Sequence, residues 1–144
     1  MRSTDSTAGA PGAPYAPGPR QPLSPHTKRI LCVEDDEDTC DMLCALLGLI
    51  GCEAFTVGTV PEALDLIARE RFDLYLLDNW LPGGSGVAIC RRIRETNPSA
   101  PIIFYSGAAL ESEREEALAA GAQVYLVKPA DVALLVETVK RLLE

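Results

Sequence analysis

Residues 72–86 read FDLYLLDNWLPGGSG. The run from Phe72 to Leu77 is short and apolar, as a buried strand should be, and it stops at the carboxylate of Asp78. A glycine-rich loop, Asn79 to Gly86, follows at once. A carboxylate at the mouth of a buried strand is costly unless something pairs with it. Three other apolar runs end in the same manner. Arg29-Ile30-Leu31-Cys32-Val33 meets Glu34-Asp35-Asp36, Pro101 to Tyr105 meets Ser106, and Gln123 to Val127 meets Lys128-Pro129. Laid parallel in one sheet, these ends gather acids, a hydroxyl and an ammonium at one edge. Such a set suits a divalent cation and a phosphoryl group.

Helical patterns separate the runs. Glu37 to Ile50 carries Leu43, Leu46, Leu47 and Ile50 at helical spacing, and Gly51 stops it. Glu53 to Val57 is a short, weaker strand, which suits a sheet edge. Thr59-x-x-Glu62 is a capping box opening a helix whose apolar face is Val60, Ala63, Leu64 and Ile67. A basic helix spans Gly86 to Thr96, and Asn97-Pro98 ends it. Another runs from Glu111 to Ala120, and a last amphipathic stripe runs from Val132 to the end of the sequence. Alternation of this kind predicts an α/β, flavodoxin-like, doubly wound sheet of five parallel strands in order 2-1-3-4-5 with five helices. In that order ligands bind at the carboxyl ends of the strands, where the chain reverses direction between strands one and three.

The bulk numbers bound what such a sheet serves. At 144 residues there is room for one domain with a real core. The net charge of −8 speaks against direct binding of nucleic acid or an anionic membrane. Residues 1–27 form a separate, proline-rich regime, read as a disordered tail ahead of a folded domain over 28–144. Pro11, Pro14 and Pro17 give a PxxP spacing there, and the only histidine, His26, lies there too. Five cysteines without a CxxC pair read as small, reduced, buried residues. No signal peptide or membrane span is visible, so the expected location is the cytoplasm.

The chemistry follows from the residue types. Asp35 and Asp78 suit direct ligation of magnesium, Glu34 can hold a metal-bound water, and the Trp80 backbone carbonyl can turn inward from its short loop. Crowded carboxylates without metal should raise at least one pKa. A carboxylate can itself accept a phosphoryl group, with Lys128 and Ser106 neutralising its oxygens. Lys128-Pro129 is a candidate cis bond.

Four motifs, VEDDED at 33–38, LLDNWLPGGSG at 76–86, IIFYSGA at 102–108 and AGAQVYLVKP at 120–129, resemble those of receiver domains of bacterial two-component response regulators. Their joint spacing covers residues 28–144. The resemblance implies that Asp78 is the phosphoacceptor, Glu34 and Asp35 the acidic pair, Ser106 and Lys128 the hydroxyl and lysine of the site, and Tyr125 the switch aromatic. It implies Mg2+ as metal and a sensor histidine kinase or phosphotransfer protein as donor. The protein would then be a phosphorylation-dependent signalling switch in a phosphorelay. It would be an enzyme only in its own phosphotransfer and slow autodephosphorylation. Asn79, Trp80 and Ala130 depart from the commonest family pattern. Because the sequence ends with the fifth helix, a single-domain type is expected. Its output would pass through the surface of the fourth helix, fifth strand and fifth helix to an effector protein or a second copy of the chain.

Two other functions compete. A phosphatase of the haloacid-dehalogenase type also uses an aspartate nucleophile with magnesium, and Asp36-Glu37-Asp38-Thr39-Cys40 approximates its DxDx(T/V) motif, with Cys at the last place. A receiver-like binding module that never uses phosphate is the other. A flavodoxin is disfavoured by the five successive acids Glu34 to Asp38, which would repel the FMN phosphate.

Overall fold

Apolar runs that are hydrophobic on both faces become central strands only if helices cover both sides. The computed structural model, which describes residues 27–144, has that architecture. In chain order the elements are β1 (Arg29–Val33), α1 (Glu37–Leu49), β2 (Glu53–Val57), α2 (Val60–Arg69), β3 (Leu74–Leu77), β4 (Trp80–Leu81), β5 (Gly84–Ser85), α3 (Gly86–Thr96), β6 (Ile102–Ser106), α4 (Glu111–Ala119), β7 (Val124–Val127) and α5 (Val132–Leu142). The main sheet is parallel, in order β2-β1-β3-β6-β7, which is 2-1-3-4-5 when its own strands are counted. β2 is an edge strand, as its weaker pattern predicted. The PxxP segment and His26 lie outside the described residues.

Strand alternation divides the core in two. Leu31, Val33, Tyr75, Leu77, Ile102 and Phe104 pack into a cluster with α2, α3 and α4 residues such as Leu66, Ile93 and Ala117. Their neighbours Ile30, Cys32, Leu74, Leu76, Ile103 and Tyr105 pack into a second cluster with Leu43 and Leu47 of α1 and Leu135 and Val139 of α5. This alternation sets which side of the sheet each strand-end residue continues toward.

The stretch after Asp78, read as loop, contains an antiparallel hairpin, β4 against β5, with Trp80 opposite Ser85 and Leu81 opposite Gly84. Gly83 turns it at φ 87°. The Pro82 carbonyl accepts from Val60 N–H at 3.0 Å, which fixes the hairpin to the start of α2. Gly86 is required by close approach: a Cβ there would overlap the Asp78 carbonyl oxygen and lie 2.8 Å from the Phe104 ring. The Thr59 box forms with one change. Thr59 Oγ accepts from Glu62 N–H at 3.2 Å, but the Glu62 carboxylate reaches Gly58 N–H at 3.3 Å, not the cap's own N–H. Boundary differences are small. β3 begins at Leu74, not Phe72, because Phe72 N–H donates to the Tyr75 hydroxyl and Asp73 N–H to the Arg29 carbonyl, outside the ladder.

Away from the strand ends that carry the acids, two clasps hold the opposite pole. The Arg29 guanidinium lies over the rings of Phe55 and Phe72, at 4.7 and 4.8 Å, and pairs with Glu70 at 2.6 Å. Arg94 donates to the Gly121 carbonyl at 2.6 Å and to Gln123 Oε1 at 3.2 Å, while Gln123 bonds both Ile102 N–H and the Ala100 carbonyl.

Candidate functional site

Three consecutive acids leave β1 and take three different positions. Glu34 stays in line with the strand and is buried, 4% exposed. Its Oε1 accepts from Lys128 Nζ at 2.6 Å, and its Oε2 accepts from Asp36 N–H at 3.0 Å. Asp35 is exposed at the turn. Asp36 caps α1, its Oδ2 accepting from Thr39 N–H at 2.9 Å and from the Thr39 hydroxyl at 2.7 Å. Those bonds hold the Asp36 carboxyl below its ordinary pKa. A helix cap so engaged is a poor nucleophile, which removes the structural basis for the dehalogenase-type reading.

Asp78 follows β3 and is buried, 8% exposed. Its Oδ2 accepts from Lys128 Nζ at 3.1 Å and its Oδ1 from Asn79 N–H at 2.7 Å. Carboxylate oxygens of Glu34, Asp35 and Asp78 all lie within 4.8 Å of one another. Among the described residues this is the one group of three or more His, Cys, Asp or Glu that meets at such range. The donor set is all hard oxygen, partly open to solvent through Asp35, and it fits magnesium. One ammonium among three carboxylates leaves the cluster short of positive charge. Burial raises the Glu34 pKa, the Lys128 hydrogen bond opposes that rise, and Asp78 adds to it. Burial also disfavours the Lys128 ammonium, but Glu34 and Asp78 outweigh it and leave its pKa raised. The Lys128-Pro129 bond is cis.

Ser106 ends β6 fully buried, and its Oγ accepts from Ala108 N–H at 3.2 Å. Tyr125 comes from the neighbouring strand β7. Its ring is buried and stacked on Phe104 with centroids 5.8 Å apart, and its hydroxyl donates to the Ala108 carbonyl at 2.6 Å. One residue, Ala108, thus holds Ser106 through its N–H and Tyr125 through its C=O. Burial pushes the Tyr125 phenol up, and the Ser106 hydroxyl pulls it back. Trp80 stands two residues beyond Asp78 with its side chain largely in solvent, 64% exposed.

The sequence and the fold match known proteins. The model of the response regulator receiver domain matches residues 30–140. The chain belongs to the response regulator receiver family. RegX3, a sensory transduction protein of Mycolicibacterium smegmatis, is 36% identical over 114 residues, 79% of this chain and 50% of that protein. A CheY-like receiver domain protein from Methanospirillum hungatei superposes with a TM-score of 0.76 at 32% identity, over 81% of this chain and 94% of that one. The BeF3-activated receiver domain of DrrB, from Thermotoga maritima, gives a TM-score of 0.75 at 31% identity, over 81% and 97% of the two chains. This receiver spans about half the length of curated relatives such as RegX3 and MprA. Its family is one of phosphorylation-dependent signalling switches. Among the described residues no helix is long and apolar enough to cross a membrane.

The sequence-predicted residues Glu34, Asp35, Asp78 and Lys128 meet at one strand edge; Ser106 and Tyr125 are joined through Ala108 on the adjoining strands. Three features escaped the sequence. Asn79 is buried with its Oδ1 unpartnered, although it reads as a loop residue. Tyr105 lies under Lys128 Nζ, 6.0 Å from ring centroid to nitrogen. Ala108 looks like a spacer. The strand period could have signalled Tyr105, since it must face away from Phe104; nothing local marks the other two.

Proposed function

We propose that Asp78 accepts a phosphoryl group from the phosphohistidine of a sensor kinase or phosphotransfer protein. The observation that carries this reading is the Lys128 ammonium, 3.1 Å from Asp78 Oδ2 and 2.6 Å from Glu34 Oε1, joining residues from three separate strand ends. In the transfer the donor's P–N bond breaks and an O–P bond forms at an Asp78 carboxylate oxygen. The imidazole leaves with the electron pair of the broken bond. Lys128 offers its ammonium to one phosphoryl oxygen, and the Ser106 hydroxyl turns from accepting Ala108 N–H to donating to another. Asp35, Asp78, the Trp80 carbonyl and, through water, Glu34 would hold Mg2+, which supplies neutralisation of the charge that develops on the transferring group.

The receiver then changes what it shows to partners. Ser106 moving toward Asp78 alters the support of Ala108, and Ala108 holds Tyr125. Phosphorylation acts by shifting the balance between two arrangements of this surface, with Tyr125 packed inward in one of them. The surface of α4, β7 and α5 carries that shift to an effector protein or to a second copy of the chain. Turnover of external substrates is not part of this reading. The domain begins at residue 28, with the proline-rich residues as an appended tail.

The test is labelling of the full chain with acetyl phosphate and magnesium. Parent protein incorporates one acid-stable, base-labile phosphoryl group, and Asp78→Asn incorporates none. Label at an unchanged level in the variant refutes the assignment.

A further inference from the structure

We propose that Tyr105 is a positioning residue for Lys128, its ring forming the wall that keeps the ammonium between Glu34 and Asp78. This rests on reading Asp78 as the phosphoacceptor. Lysine has a flexible four-carbon stem and strong hydration, so a lysine at a sheet edge left to itself extends into water. Lys128 does not. Its side chain is 19% exposed and its Nζ reaches two carboxylates. Both carboxylates attract it from the side of β1 and β3. β6 lies between β3 and β7, beneath the path from Lys128 to the carboxylates, and the alternation that sends Phe104 into the α2–α4 core sends Tyr105 into the α1–α5 core. Tyr105 pairs with Leu126 and Ser106 with Val127, so the register brings the ring alongside the chain just before Lys128.

The ring is 3% exposed, and Nζ stands 6.0 Å from its centroid. That is at the outer range over which an aromatic face attracts a cation, and the attraction strengthens where water is excluded. Burial raises the phenol's pKa, with Lys128, Asp131 and Glu34 the charges that act on it, which agrees with the ring lying against the site. An aliphatic residue would keep the core apolar at this position without a π face. Phosphoryl transfer depends on cations held in place before the reaction, so a wandering ammonium slows the transfer even when the fold is intact.

The experiment measures initial rates of phosphorylation of the full chain by acetyl phosphate in saturating magnesium. Tyr105→Leu should slow the reaction about five-fold, while Tyr105→Phe keeps the parent rate. In a Lys128→Ala background, Tyr105→Leu should add no further loss, because the group it positions is gone. If leucine loosens the core, as judged by thermal unfolding, Tyr105→Met, whose unbranched side chain adapts to irregular space and lacks the π face, carries the same expectation. Parent-like rates in both aliphatic variants overturn the proposal, as does an equal loss in the Lys128→Ala background. Label persisting in Asp78→Asn is the distinct outcome that removes the phosphoacceptor reading and this inference with it.

Discussion

Replacing Asp35 by Asn should stabilise the receiver in the absence of metal and cost it most of its stabilisation by magnesium. The carboxylate oxygens of Glu34, Asp35 and Asp78 lie within 4.8 Å of one another, and at that range two unit charges in water repel by about 1 kcal/mol. The water-like value applies because Asp35 is exposed. Glu34 and Asp78 both repel the Asp35 carboxylate, and Lys128, already held by those two, screens part of that. The net gain from Asp35→Asn is then about 1 kcal/mol, or about 4 °C in Tm for a domain of this size. Asparagine keeps the shape and adds no new buried group. The assay is urea unfolding of parent and variant, each in EDTA and in millimolar magnesium. In EDTA the variant should unfold at higher urea with an unchanged slope. Magnesium should raise the parent's midpoint by binding only the folded state, and raise the variant's much less. A variant less stable than the parent in EDTA, or an undiminished response to magnesium, refutes the picture of an acid cluster strained by its own charge.

Two glycines should respond oppositely to alanine. Gly86→Ala drives a Cβ into the Asp78 carbonyl and against Phe104, neither of which can rotate away, and should cost about 3 kcal/mol in urea unfolding. Gly48→Ala, in α1 with nothing within 4 Å of the new Cβ, should stabilise by about 1 kcal/mol in the same assay. Asn79→Leu removes a buried acceptor with no partner, so Tm should rise by several degrees, reflecting about 1–2 kcal/mol; a fall in Tm contradicts the burial argument. Trp80→Ala should speed loss of the phosphoryl group from labelled protein, by removing a ring two residues from Asp78, and an unchanged decay rate argues against any shielding by that ring.

The fold was legible because its signals are local. Apolar runs such as Leu74 to Leu77 cannot be half-solvated, so they announce a sheet covered on both faces. The site was legible for a related reason. Charged residues at the ends of such runs have no reason to be there unless they meet, and Glu34, Asp78 and Lys128 do meet. What the sequence could not supply is the division of labour among neighbours. Glu34, Asp35 and Asp36 are alike in one dimension, yet one pairs with an ammonium, one faces solvent beside the cluster, and one caps a helix. That division arises over three residues, where the chain leaves β1 and turns into α1. The hairpin from Trp80 to Ser85 was hidden because two-residue strands carry no period. Tyr105 was hidden because its approach to Lys128 depends on the β6–β7 register, a contact between segments distant in sequence.

Ala108 shows why this division matters for a switch. Its N–H is held by Ser106 and its C=O by Tyr125, so the two side chains share one residue as their support. A Ser106 hydroxyl drawn toward a phosphoryl group on Asp78 either releases the Ala108 N–H or carries that residue with it. In the first case the loop before α4 loosens; in the second the Tyr125 hydroxyl follows its acceptor. On the proposed reading, either case would carry the energy gained at Asp78 to the α4 end of the sheet through the two hydrogen bonds at Ala108. The two cases separate experimentally. Tyr125→Phe deletes the bond to the Ala108 carbonyl and leaves the one from Ala108 N–H to Ser106 in place, so it should leave phosphorylation of Asp78 near the parent rate while weakening the response of α4 amide hydrogen exchange to phosphorylation. An α4 response of parental size in that variant would mean that loosening of the Ala108 N–H carries the signal by itself.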